Sequence, residues 1–223
     1  MQQISIFDMD RTITKAGTYT PWLWHWSGAR AKWRRLLTPI SVMAGMAYVS
    51  KLISRGRLKE INHSLLMGGR TSRDVATAEA EKFADLIVPD QCFADALARI
   101  EVEKAEGRRV ILATASYAFY ARAIASRVGV EEVVGTRVQR MKDGGLRARI
   151  AGENCYGGAK LAMVERYLAE KGLAREDAHI RVFSDHVSDA PIMEWADEAF
   201  AVNGGAAMKA LAKRNGWTRL NWT

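Results

Sequence analysis

A chain of 223 residues supports one or two domains with a full hydrophobic core, and 48% hydrophobic with 26% charged residues excludes collagen-like, disulfide-scaffold and wholly disordered classes. Two cysteines, Cys92 and Cys155, stand in no CxxC pair, are too few for a structural zinc site and point to a reduced compartment. The net charge of +8 is localised: from Lys15 to Arg73 eleven bases face one acid, Glu60, an excess of +10 that suits nucleic acid, an anionic membrane, a phosphorylated substrate or a merely solvated helical face.

The opening run Ile4-Ser5-Ile6-Phe7 reads as a buried strand that stops at Asp8-Met9-Asp10-Arg11-Thr12. The early acids leave no room for a secretory h-region, so a cytoplasmic chain is expected to work from its own N-terminus. Thr20-Pro21 and the spacing of Trp22, Trp26 and Trp33 start a helix, and helical patterns continue through Leu36 to Ile53, Leu58 to Leu66 and Val75 to Ile87. Gly28, Pro39, Gly56 and Gly68-Gly69 are the expected breaks, and no strand is expected between Lys15 and Val88. The uncharged stretch Leu36 to Ser50 has fifteen residues, against about 20 needed to span a bilayer.

After Pro89 helices and strands alternate. Helices are expected over Phe93–Glu106, Tyr120–Val128 and Ala159–Lys171. Strands are expected over Val110–Ala113, Val133–Met141, Leu146–Ile150, Ile180–Phe183 and Phe200–Val202, with a turn at Lys142-Asp143-Gly144-Gly145. The alternation predicts an α/β fold: a Rossmann-like three-layer core with a mostly parallel sheet, built from residues 1–14 and 89–223. Residues 15–88 are then an inserted all-helical unit.

Ligands of open parallel sheets bind beyond the carboxyl ends of the strands. Three expected strands end there in polar groups: Asp8 and Asp10, then Thr114 and Ser116, then Asp185 with Asp189. Three convergent carboxylates without His or Cys nearby favour a hard ion such as magnesium over zinc. With the Thr114 hydroxyl and the ammonium of Lys160 at a helix start, they describe a cradle for a phosphoryl group. Each piece alone is more often a cap, a turn or a solvated lysine; order and placement on one sheet edge unite them.

The segments Phe7-Asp8-Met9-Asp10-Arg11-Thr12, Ile111-Leu112-Ala113-Thr114, Lys160 and Ser184-Asp185-His186-Val187-Ser188-Asp189 resemble the four motifs of the haloacid dehalogenase superfamily of phosphatases. The likeness to its phosphoserine-phosphatase-like branch extends over the core, through Gly135-Thr136 and Gly152 to Lys160. It implies a helical cap over the active site and magnesium as cofactor. It further implies that Asp8 attacks phosphorus to form an aspartyl-phosphate while Asp10 serves as acid and then base. Magnesium would be held by the Asp8 carboxylate, the Asp10 backbone carbonyl and Asp185. Thr114 and Lys160 would bind the transferring oxygens, and Asp189 would support Lys160 and the metal shell.

Three departures bear on the substrate. Arg11 stands where a small residue is common, His186 where glycine is common, and Ser188 where asparagine is common. The first acid after Asp10 is Glu60, far from where phosphoserine phosphatases hold the substrate ammonium. His25, His63, His179 and His186 lack ligand spacing and read as structural, with His186 alone near the site. Expected substrates are therefore a lipid or lipid-like phosphate, as in the branch acting on phosphatidylglycerophosphate, or alternatively a small soluble metabolite phosphate. The insertion's tryptophans, bases and apolar run resemble an interfacial anchor for peripheral contact with the inner face of an anionic membrane, or else are the cap's own core. A non-catalytic basic binding module is the competing class, and nucleic acid is not expected because the block holds no recognisable motif for it.

Overall fold

Ile4 and Ile6 on one face of the first strand, and Ser5 and Phe7 on the other, are all buried, which only a sheet covered on both faces allows. The computed structural model describes all 223 residues, Met1–Thr223. In chain order the elements are β1 (Gln2–Phe7), α1 (Tyr19–Arg30), a 3₁₀ segment (Lys32–Leu37), α2 (Thr38–Val49), α3 (Arg55–Leu66), β2 (Arg70–Thr71) and α4 (Arg73–Gln91). There follow α5 (Ala94–Ala105), β3 (Arg109–Tyr117), α6 (Ala118–Arg127), β4 (Glu132–Thr136), β5 (Val138–Arg140) and β6 (Leu146–Ile150). The chain ends with α7 (Gly158–Glu170), β7 (Ala178–Ser184), α8 (Ala190–Trp195), β8 (Glu198–Val202), α9 (Ala206–Asn215) and β9 (Thr218–Leu220).

Six parallel strands form the main sheet in the order β4-β3-β1-β7-β8-β9. The chain moves outward from β1 to β3 and β4, then restarts at β7 on the other side, so the topological switch lies between β1 and β7. Register pairs Phe7 with Phe183 and Phe183 with Phe200, and their rings stack at 4.3 and 4.5 Å. Each stack is worth about 1 kcal/mol beyond burial. This ladder sets the ends of β1 and β7 side by side. One core unites Phe7, Leu112 and Phe183 with α1, α4, α5 and α6; a second gathers Ile4, Ile111 and Val182 under α7, α8 and α9.

Several expectations are corrected. A two-residue strand, β2, does lie between Lys15 and Val88; it pairs antiparallel with β6 as Arg70 with Arg147 and Thr71 with Leu146, and is too short to show an alternation. Gly28 lies within α1 and Gly56 in the first turn of α3, while Pro39 opens α2 rather than breaking it, as a first-turn proline can. Pro89 falls inside the last turn of α4. The run Val133–Met141 divides into β4 and β5, and β9 at the sheet edge was not expected.

Helix α3 turns Lys59, His63 and Leu66 inward at helical spacing. His63 is fully buried beside the Tyr117 ring, 5.4 Å between centroids, and neither ring nitrogen has a partner. Burial, with Lys59 adding to it, pushes its pKa down to about 4. The folded state thus resists a proton that the unfolded chain accepts near pH 6.5, so stability is fully present above pH 6.5 and is lost as pH falls toward 4. Relative to His63→Phe, the wild type should lose about 3 kcal/mol between pH 7 and pH 4, measured by urea unfolding. Parallel pH profiles for the two proteins would refute the assignment.

Candidate active site

Asp8 follows Phe7 directly, and its N–H donates to the Phe183 carbonyl at 2.9 Å, tying the end of β1 to β7. The chain then turns sharply, with the amides of Thr12, Ile13 and Thr14 all donating to the Met9 carbonyl. Arg11 takes φ 64° at the crest of this turn, a left-handed conformation that costs a residue with a Cβ about 1 to 2 kcal/mol. Gly157, at φ 61°, supplies the corresponding bend before α7, and one turn later Lys160 faces the sheet end.

Five of the six expected site residues line one cavity of about 430 Å³: Asp8, Asp10, Lys160, Asp185 and Asp189. Lys160 is buried, and its Nζ donates to Asp8 Oδ1 at 2.8 Å and to Asp189 Oδ2 at 2.7 Å. Ser184 Oγ donates to the same Asp189 oxygen at 2.7 Å. Asp185 is gripped by Thr12, whose hydroxyl accepts from the Asp185 amide at 3.1 Å and donates to its Oδ1 at 3.5 Å.

The sixth residue, Thr114, is fully buried; its Oγ1 accepts the Ser116 amide at 3.0 Å, and Ala115 forms the cavity wall beside it. Asp10 does not join the other carboxylates in a shared cage. Its Oδ1 accepts from the Thr18 amide at 2.6 Å and the Thr18 hydroxyl at 2.7 Å, and its Oδ2 from Ser116 Oγ at 2.7 Å. No three acid, His or Cys side chains come together as a metal cage, and the expected metal set of two carboxylates with the Asp10 backbone carbonyl is not one that side chains alone would display.

One ammonium serves too many acids here. Burial pushes the Asp8 carboxyl up to about 8, with Asp189 and Asp10 adding to the push against Lys160. Burial also works against the Lys160 ammonium, yet Asp189 and Asp8 hold it well above its ordinary range, so it stays charged. Burial raises Asp185 as well, and Asp189 Oδ1 is buried without a partner. Excess negative charge and an unpartnered oxygen, in an all-oxygen donor set, fit a hard divalent cation.

Four residues, Tyr19, Arg55, Tyr156 and Lys59, went unnoticed as site groups in the sequence. Tyr19, Arg55 and Tyr156 line the cavity with His186, and Arg55 lies over the Tyr156 ring at 4.3 Å. Lys59 is buried just behind: its Nζ donates to the Ala115 carbonyl and, at 2.9 Å, to Asn154 Oδ1, with the Tyr117 ring 4.5 Å away. Burial, with Arg55 adding to it, lowers its pKa to about 7. A lysine spaced four and seven residues from His63 and Leu66 was the available signal, because it placed Lys59 on the inward face of α3.

The profile of the haloacid dehalogenase-like hydrolases matches residues 6–194. Phosphoserine phosphatase SerB1 of Mycobacterium tuberculosis is 27% identical over 165 residues, covering 74% of this chain and 51% of that protein, so the chain spans about half the length of this relative. A protein of unknown function from Bordetella pertussis Tohama I has a similar structure, with TM-score 0.87 over 99% of this chain and 98% of that one at 23% identity. A substrate-bound phosphoserine phosphatase complex has TM-score 0.63 over 99% and 93% of the two chains at 16% identity. At such identities the two structures speak for the fold.

Proposed function

Because this chain belongs to the haloacid dehalogenase-like hydrolases, we propose that it is a phosphatase that hydrolyses phosphomonoesters through an aspartyl-phosphate on Asp8. The observation that carries the reading is Lys160: its ammonium holds Asp8 Oδ1, no hydrogen bond engages the second oxygen, and Asp8 lines the cavity. That second oxygen forms a bond to phosphorus as the bond from phosphorus to the leaving oxygen breaks. Asp10, aimed by Thr18 and Ser116, gives the leaving oxygen a proton. It then takes a proton from the water that attacks the aspartyl-phosphate, which frees phosphate and restores Asp8.

Lys160, which lines the cavity, stabilises charge on the transferring oxygens, and Thr114, buried behind the Ala115 wall, would have to turn its hydroxyl toward them to act as the second donor. Asp8, Asp185 and the Asp10 carbonyl would hold magnesium, with Asp189 supporting the shell. When bound, the ion supplies the positive charge that lets carboxylate and phosphate approach. Helices α1 to α3 act as the cap, contributing Tyr19, Thr20 and Arg55 to the cavity.

Phosphoserine is a poor candidate substrate on this geometry. Glu60, the one acid of α1 to α3, is taken by Arg57 at 3.1 Å, Arg149 at 2.9 Å and the Ile150 amide at 2.9 Å, so it is not free to hold a substrate ammonium. With Arg11, Arg55, Tyr19 and Tyr156 at the mouth, the leaving group is anionic or apolar, which fits a lipid or lipid-like phosphate better than an amino acid. The test is phosphate release from p-nitrophenyl phosphate with and without magnesium; release no faster than background would end the proposal.

Asp10→Asn separates the two acids' roles. An activated leaving group needs no proton, so this variant should still give a burst of p-nitrophenol from p-nitrophenyl phosphate while steady turnover falls by about 10² to 10⁴. Loss of the burst as well would assign Asp10 a different part.

A further inference from the structure

We propose that the 3₁₀ segment and α2 form a docking surface for an anionic phospholipid bilayer. Helix α2 buries no residue. Pro39, Ile40, Val42, Met43, Met46 and Val49 are all exposed, and at 100° per residue they cover one half of the helix circumference. Ser41 and Tyr48 lie on the opposite, half-buried side, where Ser41 Oγ meets Asn62 Oδ1 of α3 at 2.8 Å. Leu36, 80% exposed, and Leu52, 78% exposed, extend the apolar face beyond both ends of α2. A patch of this size without charge marks a surface that another phase covers.

The rim identifies that phase. Lys32 and Lys51 are exposed at the two ends of the face, and Arg34 and Arg35 lie over Trp33 and Trp24 at 4.7 and 4.3 Å. Those two arginines also hold the backbone carbonyls of Leu65 and Trp24, so they are fixed in place. Because Glu60 is fully engaged, this stretch presents no free acid. A second copy seated on the same face would press one basic rim against another, whereas anionic headgroups complement it. At 12 residues α2 is about 18 Å long and lies in the interface, and no helix of the chain is long and apolar enough to cross a membrane. Docked this way, the face sets Leu52 on the bilayer three residues before Arg55, which lines the cavity. The consequence for substrate, a phosphomonoester presented at the membrane surface, rests on the phosphatase reading; the docking does not.

The test is flotation of the full chain with vesicles of phosphatidylglycerol and phosphatidylcholine in equal parts, and with phosphatidylcholine alone. Binding is expected to the anionic vesicles only and to weaken with salt. Met43→Glu with Met46→Glu should lower partitioning by about tenfold or more. Lys32→Glu with Lys51→Glu should lower it by at least about fivefold per lost base. Both double variants should keep wild-type hydrolysis of p-nitrophenyl phosphate, which also reports that they fold. Absence of flotation, equal flotation of wild type and the methionine variant, or a vesicle-free dimer that this variant dissociates would each overturn the proposal. Flotation without any phosphatase activity would instead refute the catalytic reading and leave the docking surface standing.

Discussion

Asp8→Asn is expected to remove phosphate release by on the order of 10⁴-fold or more and to leave the fold intact. An amide oxygen is too weak a nucleophile to attack phosphorus, and the neighbouring carboxylates are held in other contacts: Asp189 Oδ2 by Lys160 and Ser184, Asp10 by Thr18 and Ser116, and Asp185 by Thr12. The same substitution relieves crowding. Burial and the neighbouring Asp189 and Asp10 disfavour the charged form of Asp8, so a neutral side chain of the same shape should give a urea midpoint equal to or above that of the wild type without metal. Phosphate transferred from a labelled substrate should remain on wild-type protein after acid quenching and be absent from the variant. Labelled Asp8→Asn would place the nucleophile elsewhere, and an unfolded variant would show that the carboxylate is structural.

Lys160→Met should damage both activity and stability, because the lysine has two tasks. It is 3% exposed and is the ammonium between Asp8 and Asp189. Removing it strands both carboxylates, and breaking a buried pair in this way costs about 3 to 5 kcal/mol. Loss of a charge-stabilising group at the transferring phosphoryl should lower kcat by a further 10² to 10³, about 2.7 to 4 kcal/mol in the barrier. The double variant Lys160→Met with Asp189→Asn distinguishes the two effects. With one stranded carboxylate gone, urea stability should recover by a kcal/mol or more while activity stays lost. A single variant with wild-type stability would show that the buried ion pairs contribute nothing net, and wild-type kcat would exclude Lys160 from the chemistry.

The order of elements follows from local pattern. Short apolar runs that stop at polar residues, separated by helical periods, dictate parallel strands with helices on both faces, and β1, β3, β7 and β8 lie where those runs do. The same punctuation marked Asp8, Asp10, Asp185 and Asp189, because a strand end in a parallel sheet is both a sequence boundary and the edge where ligands bind. Strands of two or three residues, such as β2 and β9, carry no period and gain their definition from a partner strand, so they escaped the pattern. Glycine and proline were ambiguous for a related reason: Pro39 fits a first helical turn as well as a break, and only packing chose.

What the sequence by itself determined is therefore the chemistry on offer and its edge of the sheet: four acids, a lysine at a helix start, a threonine at a strand end and a basic insertion. Tertiary structure decided how that chemistry is divided. It turned Asp10 away from the other acids onto Thr18 and Ser116, brought Lys160 between Asp8 and Asp189 across 152 and 29 residues of chain, and set Lys59 behind the cavity. It also parted the tryptophans, burying Trp22 and Trp26 in the core while leaving Trp24 and Trp33 at the surface beneath arginines. The physical reason is one of range. Apolar periodicity and turn chemistry act over a few neighbours and are written into the local sequence, whereas hydrogen bonds, ion pairs and burial join groups far apart and exist only once β1 and β7 lie side by side.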